Sequence, residues 1–92
     1  MALLSESEVE AKLAEYPEWW REGEAIVREF KCGDFAGAVA FAATLVEPAD
    51  AMNHHPDLTI SWETLTVLIS THSEGGLTAA DFELAAKIDA LV

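Results

Sequence analysis

The segment Asn53-His54-His55-Pro56-Asp57 and, further along, His72 just ahead of Glu74-Gly75-Gly76-Leu77-Thr78 hold all three histidines of the chain within nineteen residues. Imidazole titrates near neutral pH, so three such rings gathered on a rigid element can take up and deliver protons. Two apolar, strand-like runs lie between the histidine pair and His72, and a hairpin there folds the two ends towards each other. The expected chemistry is acid–base catalysis.

Other uses of the same residues compete with this one. His54 and His55 read equally as a polar loop at a helix end, and His72 as a strand-end residue. Three histidines could bind zinc, but adjacent histidines point in different directions and the HExxH spacing is absent, so no metal is expected. No nucleophile elbow supports Ser-His-Asp chemistry. Gly75-Gly76 ahead of a helix could hold phosphate, though a tight turn feeding a capped helix explains it more simply. Trp19 and Trp62 read as sheet residues, either of which could wall a flat aromatic ligand.

The elements that must position these residues follow from periodicity. Ser5 and Glu8 form a capping box, Leu4 and Val9 a staple, and Val9, Leu13 and Tyr16 one stripe of a helix over about residues 6–15, stopped at Pro17. Trp19 and Trp20 begin a short strand that reaches a turn at Glu22-Gly23. From Glu24 the pattern alternates, with Ala25, Val27 and Glu29 on one side and Ile26, Arg28 and Phe30 on the other. Asp34 caps the next helix, which has no charged residue from Phe35 to Val46. Its core stripe is expected at Phe35, Ala38, Val39, Ala42, Leu45 and Val46, and the opposite side (Ala36, Ala40, Ala43, Thr44) is small and nearly apolar. A helix without a polar face is usually buried on both sides, so a second subunit is expected against it. Pro48 should kink this helix, or end it and restart the chain as a first-turn residue.

After Pro56, Leu58, Ile60 and Trp62 alternate with Thr59 and Ser61. Beyond a turn near Glu63-Thr64, Leu65, Val67 and Ile69 alternate with polar neighbours and Leu68, completing a hairpin. Thr78 and Asp81 cap the last helix, Leu77 and Phe82 staple it, and Leu84, Ala85, Ile88 and Leu91 form its buried stripe. The expected fold is α+β, in the order α-β-β-α-β-β-α, a four-stranded antiparallel sheet with helices on one face.

Ninety-two residues, 51% of them apolar, make one domain spanning residues 1–92. Five Lys+Arg against seventeen Asp+Glu give a net charge of −12, which disfavours nucleic acid and anionic membranes as partners. The single cysteine, Cys32, fits a reducing compartment. No leader and no uncharged apolar run approaching 18 residues is visible, so the expected location is the cytoplasm.

These residues resemble the pterin-4a-carbinolamine dehydratases, the family that includes the dimerisation cofactor of a hepatocyte transcription factor. The family signature is an acidic or similar residue, three residues, His-His-Pro, an aromatic, nine residues, His, then Asp. Here it reads Asp50, His54-His55-Pro56, Trp62, His72 and Asp81. Trp19 with Gly23, Arg28 and Phe30, then Asp34-Phe35, Thr71-His72 and Gly75-Gly76-Leu77-Thr78 match as well, and the resemblance runs from about residue 3 to 91.

The resemblance implies dehydration of a 4a-hydroxytetrahydropterin to the quinonoid dihydropterin, in the recycling that follows aromatic amino-acid hydroxylation, without metal or organic cofactor. It assigns His54 and His72 to acid–base work and His55 to holding the ring or its hydroxyl and sharing in proton transfer. Asp50, Trp19 and Pro56 would bind the pterin. It also implies a homodimer or homotetramer and a functional link to an aromatic amino-acid hydroxylase. Asp50 stands where many relatives carry Glu, Cys32 where an aromatic is usual, and Pro48 is unusual for its helix. Asp50 precedes His54 by four residues, so a helix reaching the pair would let its carboxylate orient that ring. The alternative is a module of the same fold that assembles a protein partner without catalysis.

Overall fold

A computed structural model describes residues 2–92. Helix α1 (Glu6–Ala14) opens on the expected capping box, with the Glu8 N–H donating to the Ser5 hydroxyl and the Ser5 N–H donating to the Glu8 carboxylate at 2.8 Å. The Ser5 N–H foremost, and the Ser5 side chain after it, hold the Glu8 carboxyl below the ordinary carboxylate range. Strands β1 (Trp20–Glu22) and β2 (Ala25–Lys31) follow, then helices α2 (Phe35–Thr44) and α3 (Val46–Met52). Strands β3 (Asp57–Ser61) and β4 (Thr64–Ile69), a 3-10 turn (His72–Glu74) and helix α4 (Ala79–Asp89) complete the chain. The expected order therefore holds, with the central helix broken in two.

The four strands pair antiparallel in the order β1-β2-β4-β3. Ile26 faces Ile69, Phe30 faces Leu65, and on the other side of β4 Leu58 faces Val67. Directly opposed residues share a face, so these side chains line the side on which the helices pack. Phe82, Leu84, Ala85 and Ile88 of α4 close the core with Val9, Leu45 and Leu77. Both β2 and β4 lie inside the sheet, and β1 and β3 form its edges.

Two expectations need correction. The first strand begins at Trp20, because Trp19 turns into the core and donates its indole N–H to Asp89 at 2.9 Å. Arg28 reaches the same carboxylate at 2.6 Å and lies over the Phe30 ring, so this charged side chain on the core face is paired. The assumed stripe of α2 is also wrong in phase: Ala38 and Leu45 are buried, but Phe35, Val39 and Val46 are exposed. Phe41 packs inward instead, its ring centroid 4.9 Å from that of Phe30. A helix with no charged residue, and Thr44 alone as a polar one, carries no polar side from which its orientation could be read.

Pro48 is the third residue of α3, within the first turn, where a missing N–H breaks no intrahelical bond. The helical stretch Phe35–Met52 is apolar and long enough to cross a bilayer by composition. It is nevertheless divided at Leu45, carries Glu47 and Asp50, and sends Ala38, Leu45 and Ala49 into the core of the domain.

Candidate active site

Helix α3 ends one residue short of the histidine pair. Asn53 adopts the left-handed conformation at φ 49°, its N–H donates to the Asp50 carbonyl at 3.1 Å, and the His54 N–H donates to the Ala49 carbonyl at 3.0 Å. This is the Schellman pattern, which Asn tolerates better than most residues. Because the helix stops there, the two rings go to different partners. His54 Nε2 lies 2.6 Å from Asp81 Oδ1, and His55 Nε2 lies 2.9 Å from Asp50 Oδ1.

The expected pairing of Asp50 with His54 is therefore corrected: Asp50 meets His55. The spacing argument required helical turns as far as residue 54, and Asn53 ends them. The two pairs also differ in setting. Asp50 and His55 are exposed, at 65% and 57% of their side chains, whereas Asp81 is 0% exposed and His54 11%.

Asp81 sits in the first turn of α4, where a negative charge is favoured by the unpaired N–H groups of the helix start. Its Oδ2 accepts from the Thr78 N–H and from the Thr71 hydroxyl, both at 2.8 Å. The Thr71 and Thr78 hydroxyls are themselves 2.8 Å apart and buried. Sequence reading marked Asp81 and Thr78 as a cap and Thr71 as a flanking residue. The acid that ends the signature was the one hint of a larger role, and its burial against His54 depends on the packing of α4.

Thr71 also holds the loop that carries His72. Its N–H donates to the Gly76 carbonyl, and its carbonyl accepts from Glu74 and Gly75, with Gly75 left-handed at φ 71°. His72 thus projects, exposed, from the residue next to one that bonds the Asp81 carboxylate, and among the described residues no hydrogen bond holds its ring. His54 and the His72 turn are in this way tied to one buried carboxylate.

Asp50, His55 and Pro56 line one wall of an otherwise apolar recess of about 140 Å³, with Ala42, Leu45 and Leu58 on the others. Trp19 does not line it; its ring is buried in the core and its N–H is spent on Asp89. Trp62 lies at the tip of the β3–β4 hairpin, exposed, at the end of β3 away from the histidine pair. Among the described residues, no three His, Cys, Asp or Glu side chains converge as metal ligands.

Comparison with known proteins agrees with the arrangement. Residues 2–91 match the family described as pterin 4 alpha carbinolamine dehydratase. Two relatives carry the name "Putative pterin-4-alpha-carbinolamine dehydratase". One, from Picosynechococcus, is 46% identical over 96% of each chain. The other, from Roseiflexus castenholzii, is 42% identical over 99% of this chain and 98% of its own. The crystal structure of a transcriptional coactivator/pterin dehydratase from Brucella melitensis superposes with a TM-score of 0.90 at 35% identity, covering 97% of each chain. A pterin dehydratase-like protein, described as a RuBisCO assembly factor of the alpha-carboxysome, shares the fold at a TM-score of 0.61 and 20% identity, over 79% of this chain and 84% of its own.

Proposed function

The chain belongs to the pterin 4 alpha carbinolamine dehydratase family, and from that premise we propose that it dehydrates a 4a-hydroxytetrahydropterin such as 4a-hydroxytetrahydrobiopterin. The product is the quinonoid dihydropterin plus water. The reaction is a carbon–oxygen elimination: the N5 proton is removed, the N5 electron pair forms the C4a=N5 bond, and the C4a hydroxyl departs with an added proton.

Two groups of opposite protonation state are needed, one on each side of the heterocycle, and each such proton transfer is worth about 10² to 10⁴ in rate. His54 and His72 take these parts. His55, with Asp50 against it, holds the ring or its hydroxyl, and Pro56 forms the wall beside them. The observation that carries this reading is the His54–Asp81 contact at 2.6 Å, an imidazole fixed by a fully buried carboxylate and next in sequence to His55, which lines the recess. A module that only assembled partners would have no use for such a pair.

The wider setting is proposed on the same footing: a cytoplasmic homodimer or homotetramer that needs no metal or organic cofactor, recycling pterin released by an aromatic amino-acid hydroxylase. The test is a stopped assay of 4a-hydroxypterin breakdown with and without the protein. Acceleration by catalytic amounts is expected; breakdown at the uncatalysed rate would remove the enzymatic reading in favour of the assembly module.

A further inference from the structure

Asp81 allows a proton inventory that the other site residues do not. Thr71 has a single hydroxyl proton and donates it to Oδ2, so in its contact with Thr78 the Thr78 hydroxyl is the donor. Oδ2 also receives the Thr78 N–H. Both donors on Oδ2 are of fixed direction and neither titrates. That leaves Oδ1 with one partner, His54 Nε2 at 2.6 Å. The Asp81 carboxylate offers only acceptor oxygens, two donors already meeting Oδ2. The ring nitrogen facing Oδ1 therefore carries the proton.

The other ring nitrogen is then committed. Neutral His54 is the Nε2–H tautomer, and its lone pair resides on Nδ1. Nδ1 has no hydrogen-bond partner among the described residues, and no buried side-chain nitrogen or oxygen among them lacks one, so Nδ1 opens to solvent.

The geometry points to Asp81, held by Thr71 and Thr78, as the positioning residue that makes His54 the base of the reaction, acting through Nδ1. This rests on the dehydratase reading. His54 Nδ1 takes the N5 proton, the N5 electrons form the C4a=N5 bond, and the C4a–O electrons leave with the hydroxyl, which is protonated to water by His72. Asp81 keeps its negative charge throughout, steadies the imidazolium as it forms, and does not itself take the proton. The threonines determine which of its oxygens is left for the ring.

Two measurements test this. Ring ¹⁵N spectra of the resting protein, recorded through a pH series, should show neutral His54 protonated at Nε2; an Nδ1–H form or a mixture of tautomers overturns the inference, whatever the activity. In the dehydration assay, Asp81→Asn should lower kcat at least about tenfold with KM nearly unchanged, and displace the limb of the pH–rate profile that reports the base.

Asp81 also caps α4, so Thr71→Val is the second variant. It removes one donor from Oδ2 and leaves the Thr78 N–H bond in place, with a several-fold fall in kcat that Thr71→Ser restores. Folded variants with wild-type kcat and an unmoved profile overturn the positioning role while leaving the dehydratase reading intact. A wild type that does not dehydrate removes that reading, and the tautomer spectra still decide whether Asp81 orders the ring.

Discussion

A ring nitrogen can exchange a proton with substrate only if the protein has not already engaged it. At His54 one nitrogen is engaged by a buried acid, at His55 one is engaged by an exposed acid, and at His72 neither is engaged among the described residues. Replacing His54 or His72 by Ala should reduce dehydration at least about tenfold while circular dichroism stays that of the wild type, because general acid–base contributions are usually larger than this. Both variants turning over at wild-type speed would sink the assignment. Asp50→Asn should matter much less. Its contact with His55 is exposed at both ends, and such pairs are worth roughly 0.2–1 kcal/mol, or at most about a fivefold change in rate. A loss of a hundredfold in steady-state kinetics would mean that Asp50 touches the pterin more directly than its position suggests. The histidines were legible as a group from type and spacing alone. Which acid served which ring was not, because Asp50 lies four residues from His54 in sequence and the chain leaves the helix between them, whereas Asp81 lies 27 residues away.

Elements were legible where two signals agreed. Strands β2 and β4 alternate and are bounded by turns, and α1 and α4 open on capping boxes that the structure reproduces. Where one signal stood alone, the reading slipped: α2 is clearly helical in composition, but its facing was decided by Phe41 against Phe30 and by Ala38 and Leu45 in the core. Its start depends on close contact as well as on its cap. Gly37 donates its N–H to Asp34 Oδ1 at 2.7 Å, and a methyl group added at Gly37 would collide with the Cys32 backbone carbonyl. Backbone cannot swing aside as a side chain can. Gly37→Ala should therefore destabilise the domain by about 1–3 kcal/mol, despite the higher helix propensity of Ala, as overpacking usually does. Urea unfolding followed by tryptophan fluorescence would measure it, and a midpoint at or above that of the wild type would show that the start of α2 has room to shift.

At the scale of the whole molecule, a net charge of −12 and an uncharged helical surface stand in contrast. Phe35, Ala36, Val39, Ala40 and Ala43 are exposed along α2, so the side of this helix turned from the core carries two large apolar residues among small ones and no charge. On a free surface, self-repulsion from the many carboxylates would keep copies of the chain apart. An apolar stripe of small residues lets two helices approach closely enough for burial to outweigh that repulsion. Ala40→Glu separates a free face from a covered one. If the face is free, the substitution is one more surface acid, with an effect within about 0.5 kcal/mol. If a second copy covers it, the new carboxylate is buried without a partner, at a cost of several kcal/mol, enough to dissociate the assembly. Ala11→Glu, on the exposed side of α1, adds the same charge elsewhere and serves as the control. Light scattering should find the wild type and Ala11→Glu at the same multiple of the chain mass, and Ala40→Glu at a lower one. A monomeric wild type, or equal masses for all three proteins, would show that this face of α2 is not where the chain meets its copy.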